Sequence, residues 1–519
     1  AMATGKPKIA RSALAPLADA ELSDFALAES AAEMFLALGD ASTAATLAAR
    51  VVARWPARKP ARILIARAHL AAGNARSALT AFSEAGDLSD LPAALADRGR
   101  AYLATGDIDK AAADLDAALA ADPSLTPAQI ARAKVDLARD DAAAAIARLH
   151  PLIEAKAGPE VVVAYAAALA RTGKTKQARA LLDKLVAAGG DWHAHLQLAR
   201  LARESGDFSE ASEHYRAAMT NTAPVTVRIE AATALFEAGD AKAARKLIEP
   251  ATSGDGASAK ALILAAELAG MAGDSGDAKK LLDRAEKRPS PPTWLIDRER
   301  GRLALAANHA KDAVSHLRAC VDAHGDSAEA WLLLLSAQLK LEDGAAAKKT
   351  VAQIRKQFPE SATAALARGR EAYYENQSGD ALAAFSKAQR RLEKTNASPR
   401  RQAVAAYWIG SVHYYTGDLE RAKDALDRAV KLDPSLTAAY LTLGNVEYGL
   451  ERFAEAAKAY ERVTELAPRA NPDAWFYLGD MATRIGDTKL AKKALETYRK
   501  RAPKGDFAKE AARLLKTLP

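Results

Sequence analysis

The sequence is short of the residues that staple a chain, span a membrane or build a catalytic site. Cys320 is the one cysteine in 519 residues, so no disulfide forms within the chain and no cysteine-rich metal site is available. A chain without disulfides fits a reducing compartment. No apolar run approaches the roughly 18 residues that a membrane-spanning helix needs. No secretory apolar segment opens the chain either. The first residues, Ala1-Met2-Ala3, read as a cloning remnant. Neither charge dominates: 73 basic residues against 65 acidic leave +8 at pH 7, too small a surplus for a dedicated nucleic-acid binder and mildly favourable to acidic partners. No Gly-rich phosphate loop, nucleophile elbow or HExxH motif occurs. The nine histidines share no spacing with carboxylates or cysteine that would suit a metal, and His193 and His195, two apart on a helix, point to different faces. These absences predict no catalytic residues, no metal site and no cofactor.

What the chain has in quantity is alanine in register. Alanine stands at 44, 78, 111, 145, 178, 211, 244, 278, 313, 347, 381, 422, 456 and 491, a step of 33 to 35 residues with one of 41. Twelve residues before each of these rungs stands Ala or Gly, with Leu335 as the one exception. Two small positions twelve apart, repeated at this period, predict two helices per repeat that cross where only a hydrogen or methyl fits between them. Between them runs a turn signal, Gly-Asp at 39, 106, 206, 239, 273, 417 and 486. Glycine suits the left-handed end of the first helix, and Asp can cap the second. Large apolar residues stand four places after the rung, among them Leu115, Phe385, Leu426, Tyr460 and Leu495, as knobs facing the preceding helix. Proline closes the second helix at Pro56, Pro123, Pro359, Pro434, Pro468 and Pro503. Cys320 falls at a phase occupied elsewhere by Ala85, Ala118 and Ala218, so it reads as a buried packing residue.

This signature resembles the tetratricopeptide repeat over residues 25 to about 506, best seen in Tyr440, Leu443, Gly444, Ala456, Tyr460, Val463 and Pro468. The resemblance implies an all-α fold, a right-handed superhelix of about fourteen helix-turn-helix repeats. The expected organisation is a flank at 1–24, repeats one to ten at 25–361, aromatic-rich repeats eleven to fourteen at 362–506, and an amphipathic capping helix at 507–519. A seven-residue insertion near 390–402 is expected to lengthen the second helix of repeat eleven and to end in a basic loop.

The resemblance also implies a binding scaffold whose groove is lined by the first helix of each repeat. The residue after each small position should face that groove, and this column contains Arg67, Arg100, Lys134, Arg200, Arg302 and Arg370, with Arg203 and Arg298 nearby. They predict a positive groove that draws an acidic partner. Glu33, Glu267 and Asp480 interrupt the stripe, and no base-reading pair recurs at one phase, which argues against an RNA-binding repeat and against nucleic acid as a partner. The chaperone-type clamp for C-terminal carboxylates is also a poor match, since only Asn445 sits at a suitable phase.

Ten of thirteen tyrosines lie between Tyr373 and Tyr498. Tyr373, Tyr374, Tyr407, Tyr414, Tyr415, Tyr448 and Phe476 fall at groove phases, and with Arg370, Asn445 and Asp480 they form the expected partner-binding surface. The expected function is a non-enzymatic cytoplasmic adaptor for a protein or peptide. Such arrays resemble bacterial machine-assembly scaffolds, including myxobacterial polarity scaffolds that connect a small Ras-like GTPase to type IV pili. The alternative is a periplasmic scaffold of exopolysaccharide export whose signal sequence has been removed.

Overall fold

A computed structural model describes residues 24–189, 192–220, 223–254 and 257–518. Most of the N-terminal flank, with its cloning-remnant reading, lies outside them. The described residues form 29 α-helices and one 3-10 turn, with no strand among them. Twenty-eight of the helices pair as fourteen repeats, from Phe25–Ala37 with Ala41–Arg54 to Asp473–Arg484 with Thr488–Arg501, and Ala508–Thr517 follows as the last. The chain divides into two compact units, one running to Leu201 and including Glu213–Val225, the other comprising Ala202–Ser212 and Thr226 onward.

The turn between the paired helices is more regular than the sequence signal for it. All seven glycines of the Gly-Asp signal have φ between +75° and +89°. The same left-handed conformation recurs at the equivalent place in every other repeat: at Gly73 and Gly173, and, without glycine, at Asp140, Asn308, Glu342, Asn376 and Glu451. Left-handed backbone costs a residue with a Cβ roughly 1–2 kcal/mol, so the helix–helix reversal is imposed by packing where glycine does not supply it. Six of the seven aspartates cap as expected, Asp40 accepting from the amide of Thr43 and Asp487 from that of Leu490. Asp274 instead accepts a charged hydrogen bond from Arg469 at 2.9 Å.

The predicted crossing of small and large residues is also present. A Cβ on Gly369 would lie 2.5 Å from Phe385 Cε1, and one on Gly444 2.6 Å from Tyr460 Cε1. In repeat ten, where Leu335 replaces the small residue, the opposing knob shrinks to Val351 and both are buried together. Cys320 is fully buried beside Leu317 and Leu334, and burial raises its thiol to about 11.

The last helix covers repeat fourteen through Ala511 and Leu514, which pack with Leu495 and Tyr498. Phe507 stacks on Phe476 at 4.3 Å between ring centres, and its amide donates to the Tyr498 hydroxyl.

The insertion departs from expectation. It lengthens two helices to 17 residues each, Ser378–Lys394 and Pro399–Tyr415, and Arg400 and Arg401 begin the second of these rather than lying in a basic loop. Within the second unit this segment reaches residues far back in the chain. Asn396 donates from Nδ2 to Ser205 O at 3.4 Å, and its Cβ would meet any side chain placed on Gly206. Arg400 packs on Phe236 and Met271. The next two inter-repeat turns do likewise, Asp433 and Pro434 against Gly239, and Ala470 against Gly273. Three successive turns of repeats six to eight therefore carry glycine both for left-handed backbone and for room.

Candidate partner-binding surfaces

The first-helix column in the first unit begins with cations that are partly compensated. Arg67 donates to Asp97 at 2.7 Å and Arg100 to the other oxygen of Asp97 at 3.1 Å. Lys134 follows on the first helix of the next repeat, with its side chain exposed. Desolvation, followed by repulsion from Arg100 and Arg200, lowers the pKa of its ammonium, with Glu160 acting in the opposite sense. Lys134 therefore stands between two arginines, Arg100 and Arg200, that both act against its charge.

In the second unit the expected positive groove does not form. Arg298 contacts Glu299 at 2.9 Å and Glu329 at 3.1 Å, and Arg302 contacts Glu267 at 2.5 Å and Glu329 at 2.6 Å. Three carboxylates thus enclose two guanidinium groups. Glu299, 1% exposed, is pushed up to about 7 by burial, which outweighs the attraction of Arg302 and Arg298. The attraction of Arg302 and Arg298 holds the Glu267 carboxyl below its ordinary value despite burial. Of its three acids only Glu267 stands in the column read from the sequence; Glu299 lies two places before the small residue and Glu329 in the next helix's first turn. Arg203 is partly buried and close enough to Glu237 to favour its ionised form, although burial raises that carboxyl overall.

Arg370 is likewise withdrawn from the surface. Its Nη1 donates to Leu332 O at 2.9 Å and to Ser336 Oγ at 2.8 Å, and its guanidinium lies over the Trp408 ring at 5.3 Å. Burial brings it down to about 10. It holds Trp408 in place instead of presenting charge.

The tyrosines separate into two groups. Tyr373 meets Trp408 edge-on at 5.5 Å and packs on the core of repeat eleven, while Tyr407 packs on the core of repeat twelve. Phe476 is only 7% exposed beneath Phe507, so it belongs to the cap contact and not to a partner surface. Tyr374, Tyr414, Tyr415 and Tyr448 remain open, with exposures of 43, 39, 58 and 45%. Each stands four or five residues after the small position of repeats eleven to thirteen, in the last turns of their first helices. Tyr415 is oriented by a bond from its hydroxyl to Asn376 Oδ1 at 2.9 Å, and Tyr448 lies beneath Arg484, which also pairs with Asp480. Asn445 accepts from the Tyr460 hydroxyl at 2.7 Å, a contact that fixes the two helices of repeat thirteen together.

One pairing was outside the reach of sequence spacing. His195 and His214 place their Nδ1 atoms 3.0 Å apart, and burial lowers the pKa of both rings. Among the described residues no three His, Cys, Asp or Glu gather as a metal ion would require, and no helix is long and apolar enough to cross a membrane.

Family models of the tetratricopeptide repeat match residues 63–125, 304–370, 403–436 and 441–506. The chain is a tetratricopeptide repeat protein. Its repeats support a role in protein–protein interaction as a scaffold. No curated protein matches this tetratricopeptide chain in sequence. Among solved structures it is similar to the APC/C hetero-tetramer Cut9-Hcn1, at 15% identity and a TM-score of 0.37 over 95% of this chain and 89% of that one. Yeast Tom70 is similar at 14% identity and a TM-score of 0.36 over 90% and 96% of the two chains. PilW, a type IV pilus biogenesis factor, is similar at 15% identity and a TM-score of 0.34 over 43% of this chain and 99% of its own. Similarity at this level carries no functional argument.

Proposed function

We propose that this tetratricopeptide repeat protein is a non-enzymatic scaffold that grips a partner protein on the first helices of repeats eleven to thirteen, with Tyr374, Tyr414, Tyr415 and Tyr448 as anchors. The supporting observation is that these four side chains stay exposed at neighbouring positions in three consecutive repeats, whereas the other aromatics of the region are taken up in packing. Tyrosine gives up little rotamer freedom on binding and offers both an apolar face and a hydroxyl. The cations at Arg100, Lys134 and Arg200 in the first unit support a second contact, with an acidic segment.

The test is affinity capture with three versions of the full chain. Replacing Tyr374, Tyr414 and Tyr415 with Ala removes the main partner while helicity is retained. Replacing Arg100 and Lys134 with Ala leaves that partner bound and affects only a salt-sensitive component. Retention of the main partner by the tyrosine variant would overturn the assignment.

A further inference from the structure

The second unit contains an arginine-on-apolar contact whose setting recurs, as an open cavity, three repeats further on. Arg400 enters between the last turns of two successive first helices, Val225–Glu237 and Ala259–Met271. Its guanidinium carbon lies 3.8 Å from the centre of the Phe236 ring, and Nη2 approaches Met271 Sδ at 3.3 Å. Asp433 stands 3.5 Å from Nη1, and Glu237 and Glu267 are close enough for their ionisation to be favoured by the arginine. Phe236 is thereby only 5% exposed.

The corresponding turns of repeats ten and eleven, Ala328–Lys340 and Ala362–Tyr374, frame a cavity of about 510 Å³. Leu339 occupies the place of Phe236, four residues after the small position, and Tyr374 that of Met271, five after it. Glu342, Glu371 and Glu375 line it further, together with Lys340 and Lys348. Arg368 engages Glu371 and Lys348 engages Glu375, while Glu342 makes no ion pair with a described residue. Apolar and aromatic walls beside carboxylates are common to this cavity and to the surroundings of Arg400 in repeats seven and eight, and Lys340 and Lys348 are particular to the cavity.

We propose that this cavity receives an arginine side chain from a turn of the partner protein, stacked on Tyr374 and faced by Glu342 and Glu375. The proposal rests on the reading of repeats eleven to thirteen as the partner surface and specifies what that surface recognises. It also assigns opposite preferences to the two units: an acidic segment at Arg100 and Lys134, a basic turn at Tyr374.

The probe is a synthetic peptide of residues 395–404 of this chain, which carries the Arg400-Arg401 turn, titrated into the full-length protein by calorimetry. Replacing both peptide arginines with Ala should weaken binding by about tenfold or more, as should Tyr374→Ala in the protein, while Tyr374→Phe should keep most of the affinity because the ring face is retained. Glu342→Gln with Glu375→Gln should weaken binding severalfold, with a reduced dependence on salt. Equal affinity of the arginine and alanine peptides, indifference to Tyr374→Ala, or no binding up to about 5 mM would each overturn the proposal. A partner that still requires Tyr414 and Tyr415 under those outcomes would leave the tyrosine surface standing and remove only arginine recognition.

Discussion

The Arg400 guanidinium carbon lies 3.8 Å from the centre of the Phe236 ring, which joins the first turn of repeat twelve to the last turn of a helix in repeat seven. The contact turns an insertion into a strut. Arg400→Ala should destabilise repeats seven and eight by about 1–2 kcal/mol, through lost packing and lost cation–π attraction. Faster amide exchange at residues 232–240 in that variant is the expected readout. Arg390→Ala, a change at an exposed site on the same insertion, should leave exchange there unaltered.

Gly369→Ala places a methyl carbon 2.5 Å from Phe385 Cε1. Overpacking of this kind costs roughly 1–3 kcal/mol, more than the roughly 1 kcal/mol that alanine gains over glycine in a helix. The variant should melt earlier by circular dichroism. Combining it with Phe385→Leu, the residue type found at Leu115 and Leu426 in the same role, should recover part of the loss.

Much of the fold was legible in the sequence because repetition multiplies a weak signal. One Gly-Asp pair says little, but seven in register with an alanine ladder define both helices and their crossing. The capping helix was legible from its single apolar stripe, which Ala511 and Leu514 bury. The site was less so. A phase in a first helix states which face a residue occupies, not what else reaches that face. Phe476 was hidden by the cap, Arg302 by carboxylates from two other helices, and Arg370 by the backbone of the preceding repeat. Contacts such as Arg400 on Phe236 leave no periodic trace, because they join segments through the path of the whole unit.

Glu299 gives stability a pH dependence with a definite sign. Its carboxyl is raised from 4.5 to about 7 in the folded protein, so the stability of the neutral form is fully present below pH 4.5 and is lost as pH rises through about 7. Glu299→Gln should therefore raise the stability of the second unit by about 1–2 kcal/mol at pH 8 and change little at pH 5. Thermal melts at the two pH values check it. A variant that destabilises equally at both would show that Glu299 is held as a carboxylate by Arg298 and Arg302.

Phe476 and Phe507 stack at 4.3 Å, nearly parallel, and Phe476 is buried with Tyr498. Phe476→Ala should cost about 3–5 kcal/mol locally. It should release the last helix, seen as exchange at residues 508–517, without weakening partner binding at Tyr374 or Tyr415.

Site-directed photo-crosslinking reads directly where a partner touches the array. A photoreactive phenylalanine analogue is placed at Tyr415, Tyr448 or the exposed Lys349 of a second helix, and the protein is irradiated in its native cell. The same protein should be trapped from Tyr415 and Tyr448 and not from Lys349. Trapping of that protein from Lys349 alone, with neither tyrosine position reacting, would contradict the account.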